Sequence, residues 1–200
     1  MSNKILVVVD YQHDFVDPNG TLYVNGADKI KDNIKNIIPD FDHVIFTLDS
    51  HPLTHCSFVE NGGQWPIHCV CGTVGAGLPV EFIKASKSYE LYYKGMESDE
   101  EEYGAFADAL DLGLCIDHVN DFVHFDFDEP MIESLDAVFN SDYTLTVCGV
   151  AGDYCVLETL KNIIKYINKD KVNVYLDGIV SIDGGEKLNN YIAENNIKTY

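Results

Sequence analysis

Five residues of the chain carry reactive side chains at the ends of apolar runs. Asp10 follows ILVVV, Asp49 and His51 follow VIFTL, Lys94 follows LYY, and Cys155 follows LTVCGV by a few residues. An acid, an imidazole, an ammonium and a thiol at four separate run ends are the parts of nucleophilic catalysis. The thiolate is the reactive form of cysteine, and a helix N-terminus or a nearby cation favours it. Cys155 lies in GVAGDYCV, before a segment whose apolar residues recur at helical spacing, and Asp153 is placed to cap that helix. Cys155 is therefore expected as a nucleophile in the first turn, its pKa lowered by the helix and by Lys94. Asp10 is suited to take the thiol proton and pass it to a leaving group.

A second cluster lies in DSHPLTHCSFVENGGQWPIHCVCGT, where Asp49, His51, His55, Glu60 and His68 are candidate metal ligands. Two histidines with one carboxylate leave coordination positions open and suit zinc, iron or manganese. Cys69 and Cys71 are too closely spaced for a zinc knuckle.

These residues need a scaffold that gathers strand ends. Ile5–Val9, Val44–Leu48, Leu91–Tyr93, Leu145–Val150 and Val172–Leu176 are predicted strands, apolar on both faces and therefore central. Helical spacing marks Ile30, Ile34, Ile37 and Ile38, with Pro39 as the stop. It recurs at Val156, Leu157, Leu160, Ile163, Ile164 and Ile167, and more weakly over Glu129–Phe139 and Gly185–Ile197. Strands alternating with helices predict an α/β fold whose parallel sheet is covered on both faces, with ligands at the carboxyl ends of the strands. The acidic run ESDEEEY, residues 97–103, is expected to be a solvated loop.

The 200 residues fit a single domain over 1–200. All 13 basic residues are lysine, against 33 acids, and the net charge of -20 argues against a nucleic-acid partner. No apolar stretch is long enough to span a bilayer, and the run in MSNKILVVVD is too short for a signal peptide, so no membrane partner and a cytoplasmic location are expected. The six cysteines are accordingly expected to be reduced. Cys148 and Cys115 are expected in the core, and Cys56, Cys69 and Cys71 in a loop core.

The motifs DYQHDF, DSHPLTHCSF, GGQWPIHCVCGTVGA, KG followed by YGAF, and GVAGDYCV occur in that order. Together they resemble the nicotinamidase/pyrazinamidase branch of the isochorismatase-like cysteine hydrolases, over residues 5 to about 160. The resemblance implies a three-layer α/β/α fold with a mostly parallel central sheet. It implies a triad of Asp10, Lys94 and Cys155, and an oxyanion hole from the N–H groups of Ala151 and Cys155 beside a cis Val150–Ala151 peptide. It implies one divalent ion, zinc before iron or manganese, on Asp49, His51 and His68, with His55 and Glu60 as secondary ligands. Phe15, Trp65 and Tyr103 would wall a pocket for a small aromatic amide, and the chain would be a homo-oligomer. The implied reaction is hydrolysis of nicotinamide to nicotinate and ammonia through a cysteine thioester, in NAD salvage, with pyrazinamide as a further substrate.

Cys71, Gly104 and Gly152 depart from the glutamine, serine and threonine common in that family, and the segment Asp108–Asp128 does not align with it. Two other functions compete. One is an isochorismatase-like amidase acting on an N-carbamoyl or ureido compound, and the other is an inactive metal-binding homologue.

Overall fold

A computed structural model describes residues 2–117 and 138–200. Its frame is a sheet of six strands: β1 (Asn3–Val9), β2 (His43–Asp49), β3 (Tyr89–Lys94), β4 (Tyr143–Val150), β5 (Val172–Val180) and β6 (Lys198–Thr199). The strand order is β3-β2-β1-β4-β5-β6, and every pairing is parallel. Alternate residues of β1 serve different layers. Ile5, Val7 and Val9 pack with Leu145, Leu160 and Ile163, whereas Leu6 and Val8 pack with Ile34, Phe46 and Phe82. A strand buried on both faces must be apolar throughout, which is why ILVVV reads as an unbroken run.

Among the described residues the α-helices are α1 (His13–Val16), α2 (Lys31–Ile37), α3 (Val80–Ala85), α4 (Ala109–Asp117), α5 (Leu157–Tyr166) and α6 (Glu186–Asn195). They make the outer two layers of the expected α/β/α sandwich. Among them, α2 is flanked by 3-10 turns at Ala27–Ile30 and Ile38–Asp40, the second opened by Pro39. In α5, Leu157, Leu160 and Ile163 form the buried stripe, and each such side chain contributes roughly 1.5–3 kcal/mol on burial. Within the segment left unaligned by sequence, α4 buries Leu112 and Ile116 against Phe106. The helix expected over Glu129–Phe139 falls almost wholly outside the described residues.

Three expectations change. β3 is an edge strand and not a central one, with Tyr89 and Tyr93 47% and 50% exposed, although its last residue, Lys94, is buried. Its aromatic run looks like core because tyrosine covers a half-buried surface as readily as an interior one. Asp153 does not cap α5: its carboxylate accepts the N–H groups of Ile182 and Asp183 at 2.8 and 3.2 Å. Cys155 accordingly sits in a single π-helical turn, Gly152–Val156, that precedes α5.

The strand order reverses between β1 and β4, which places the crevice of the sheet between the ends carrying Asp10 and Cys155. Gly149 makes the close approach possible there. Its φ is +121°, and a Cβ would lie 2.1 Å from the carbonyl oxygen of Val9. No helix among the described residues is long and apolar enough to cross a membrane.

Candidate active site

The register of the sheet assembles the site. Val9 pairs with Thr47, so the next residue, Asp10, takes its backbone bond from Asp10 N–H to Thr47 O at 3.1 Å, and the Thr47 hydroxyl donates to Asp10 Oδ1 at 2.6 Å. Asp49 pairs directly with Lys94 at the end of β2 and β3. Lys94 Nζ lies 2.9 Å from Asp10 Oδ2 and 2.5 Å from Asp49 Oδ1, and it also donates to Glu102 O at 3.1 Å. All three ionic side chains are buried, Asp10 completely. One ammonium thus serves two carboxylates.

The Cys155 thiol adjoins the Asp10 carboxyl group. Ligand atoms of Asp10, Asp49 and Cys155 all lie within 4.8 Å of one another, and the cation among them is Lys94. The electrostatics reverse the expected thiolate. Burial pushes the Cys155 thiol well above its ordinary range, and although Lys94 opposes this, Asp10 and Asp49 push the same way. Burial likewise raises Asp10 against the pull of Lys94. For Lys94 the burial penalty is overcome by Asp10 and Asp49, which hold the ammonium well above the usual range. The Cys155 thiol, the Asp10 carboxyl group and the Lys94 ammonium thus adjoin one another, and burial favours the protonated thiol. Asp10 Oδ2 has no well-directed hydrogen-bond donor, which leaves it open to accept that proton.

The second cluster converges beside the first. Asp49, His51 and His68 place one ligand atom each within 4.8 Å of the others. His51 Nδ1–H donates to Gly95 O and His68 Nδ1–H to Pro66 O, both at 2.7 Å, so each ring turns Nε2 to the cluster. Burial lowers His68, which favours the neutral ring a metal needs. Burial also acts to lower His51, but its contact with Asp49 outweighs this and raises it. Asp49, despite its burial, is held low by Lys94 and His51. A carboxylate with two imidazoles of fixed tautomer suits a divalent cation.

The loop from His68 to Cys71 runs alongside His51, through His51 N–H to Cys69 O at 3.0 Å and Cys71 N–H to His51 O at 2.9 Å. The two secondary candidates do not join this group. His55 has both ring nitrogens engaged, Nδ1 with Ser57 Oγ at 2.7 Å and Nε2 with Glu100 O at 3.0 Å, and it stacks 4.0 Å from His51. Glu60 is exposed in the turn Val59–Asn61.

A cavity opens over both clusters. Phe15, Trp65, Tyr103, Tyr154, Ala151 and Cys155 line it, with Asp49 and His68 of the candidate metal cluster. Trp65 Nε1–H donates to Tyr103 Oη at 3.0 Å, Tyr154 meets Trp65 edge-on at 5.4 Å, and Phe15 faces His68 at 5.4 Å. The Val150–Ala151 peptide is cis. All six cysteines are free; Cys69, Cys115 and Cys148 are buried, whereas Cys71 is exposed.

Several contributing residues were not singled out by sequence. Gln12 is fully buried and clamps Asp49: Nε2–H donates to Asp49 O, and Oε1 accepts Asp49 N–H, both at 2.8 Å. It sits inside DYQHDF, but an amide between two acids carries no chemical signal of its own. Tyr154 adjoins the thiol, and Glu101 lines the cavity from within the acidic run. Gly95 has φ +62°, and a Cβ there would lie 2.5 Å from His51 Cε1 and 2.7 Å from Nδ1. Gly95→Ala is expected to push the ring aside and weaken metal binding about 10- to 100-fold, the scale for loss of a ligand's outer partner. Competition against a chromophoric chelator measures this, and wild-type affinity would remove Gly95 from the role.

No protein-family model matches the chain. It is similar to the nicotinamidase of Saccharomyces cerevisiae, 30% identical over 135 residues that make up 52% of this chain and 62% of that protein. The nicotinamidase of Acinetobacter baylyi is 35% identical over 124 residues, 54% of this chain and 57% of that protein. The chain thus spans less than two thirds of the length of these curated relatives. The solved pyrazinamidase of Pyrococcus horikoshii, in complex with zinc, superposes with a TM-score of 0.75 at 28% identity, over 99% of this chain and 98% of that one.

Proposed function

We propose that this chain, which belongs to the nicotinamidase/pyrazinamidase group and has the isochorismatase-like hydrolase fold, hydrolyses nicotinamide to nicotinate and ammonia. The observation that carries the reading is one aromatic-walled cavity lined both by Cys155 and by Asp49 and His68. Its aromatic walls suit a planar ring better than an aliphatic N-carbamoyl or ureido compound.

In the proposed mechanism, Asp10 takes the thiol proton as Cys155 Sγ attacks the carboxamide carbon. The N–H groups of Ala151 and Cys155 donate to the oxyanion, an arrangement in which one donor is worth about 3–4 kcal/mol. Asp10 passes its proton to the departing nitrogen, and ammonia leaves a thioester on Cys155. Asp10 then draws a proton from water as it attacks the thioester, and nicotinate is released with the thiol restored. Lys94 holds Asp10 in place throughout and balances its charge when ionised. Asp49, His51 and His68 would hold a divalent ion, zinc in our proposal, which would supply Lewis acidity beside the ring.

The deciding experiment is ammonia release from nicotinamide by the purified protein before and after chelation, with metal analysis of both samples. Release that falls on chelation and returns with added zinc is the expected result. A fully metallated protein that releases no ammonia from nicotinamide or pyrazinamide would overturn the reading.

A further inference from the structure

The acidic run between β3 and Tyr103 is a loop exposed over Glu97–Glu101, as expected, and it is also bonded in place. Cys56 N–H donates to Ser98 O at 2.7 Å, and His55 Nε2–H donates to Glu100 O at 3.0 Å. Lys94 donates to Glu102 O at 3.1 Å, and the Glu102 carboxylate accepts Gly95 N–H at 2.7 Å. Four bonds therefore tie the run to the metal-ligand loop and to the buried ammonium. A run fixed this way presents Glu101 at a set place, and that place is the wall of the cavity containing Cys155. Glu100, Glu101 and Glu158 also line an adjoining groove beyond Tyr103. No lysine is among the residues that line either space. Two ammonium groups are near: Lys94, bonded to Asp49 beneath the cavity, and Lys187, 5.0 Å from the centroid of the Tyr154 ring.

This charge pattern has a direct bearing on amide hydrolysis. The reaction breaks a C–N bond and makes a C–O bond: a neutral ring carboxamide and water become a ring carboxylate and ammonium. Substrate and product share one ring and one cavity, and they differ by a full negative charge. A carboxylate at the cavity wall is therefore nearly indifferent to the substrate and repels the product.

We infer that Glu101 is a specificity-determining residue that separates neutral ring carboxamides from ring carboxylates by charge, weakening product binding and hastening its release. The inference rests on the reading of the site as an aromatic carboxamide hydrolase. Like charges several ångströms apart at a partly solvated site repel by an amount worth about a three- to ten-fold change in affinity. Salt weakens the effect as the screening length shrinks towards about 3 Å at 1 M.

Glu101→Gln keeps the shape of the side chain and removes its charge. Trp65 is the only tryptophan of the chain and lines the cavity, so its fluorescence reports nicotinate binding directly. The variant is expected to bind nicotinate about three- to ten-fold more tightly relative to its KM for nicotinamide. The same shift is expected for pyrazinoate against pyrazinamide, and the gap between variant and wild type should narrow at high salt. Metal content is measured in both proteins so that a change at the ligand cluster is not mistaken for the effect. An unchanged ratio, or a nicotinate Kd and nicotinamide KM that fall together, overturns the inference while leaving the function standing. Absence of turnover of either amide by the metallated wild type overturns both.

Discussion

Cys155→Ala is expected to lower amide turnover by at least about four orders of magnitude, because loss of a covalent nucleophile removes the whole two-step route and not one increment of it. The expected loss is specific. Cys155 is not among the three residues of the metal-ligand cluster, so zinc content should stay at the wild-type level. Its side chain is small and 8% exposed, so the cavity left behind should reduce stability by no more than about 1 kcal/mol. Rapid quenching of the wild type with nicotinamide, followed by intact-mass measurement, should show one acyl group on the chain, and the variant should show none. Turnover in the variant above a few per cent of wild type would remove the thiol from the chemistry. The free enzyme has a second signature: its thiol is held up by burial and by two carboxylates, so alkylation by iodoacetamide near neutral pH should be slow.

That last point marks the limit of what the sequence discloses. The strand ends were legible because β1, β2 and β4 are buried on both faces and leave continuous apolar runs, each ending at a reactive residue. The proximity of Cys155 and Lys94 followed from those ends. The sign of the thiol shift did not, because it depends on how many carboxylates share one ammonium, and Asp10, Asp49 and Lys94 are brought together by strand register across 39 and 45 residues of chain. Asp153 failed as a cap for the same reason, since its two partners lie 29 and 30 residues away. The acidic run reads as solvated because its side chains are charged, and Glu97–Glu101 are indeed exposed. What fixes it is mainly its backbone carbonyls, which composition does not describe. Gln12 and Gly95 act by holding Asp49 and His51, and a residue that positions another has no reactive group to betray it.

Lys94→Met carries the second large effect, on stability as well as rate. Methionine fills the space of the lysine stem but leaves Asp10 and Asp49 facing each other in a buried site with no cation. Breaking a buried pair by removing one partner costs about 3–5 kcal/mol. The pH dependence distinguishes this cause from loose packing, and metal-free protein is the sample to use. In the wild type, Asp49 is held below its ordinary range by Lys94 and His51, so its contribution is present above the unfolded carboxyl pKa and lost as pH falls. Asp10, raised by burial, already works in the opposite direction. Without the ammonium both carboxyls are raised. The folded variant then binds more protons than the unfolded chain, and its stability declines as pH rises through and beyond about 4. The gap between wild type and variant in urea midpoint should accordingly be widest near pH 7 and close towards pH 4. A gap that is small and constant with pH would mean that Lys94 is not the cation balancing these carboxylates. Turnover should fall with the same substitution, because an Asp10 that keeps its proton cannot take the one from Cys155.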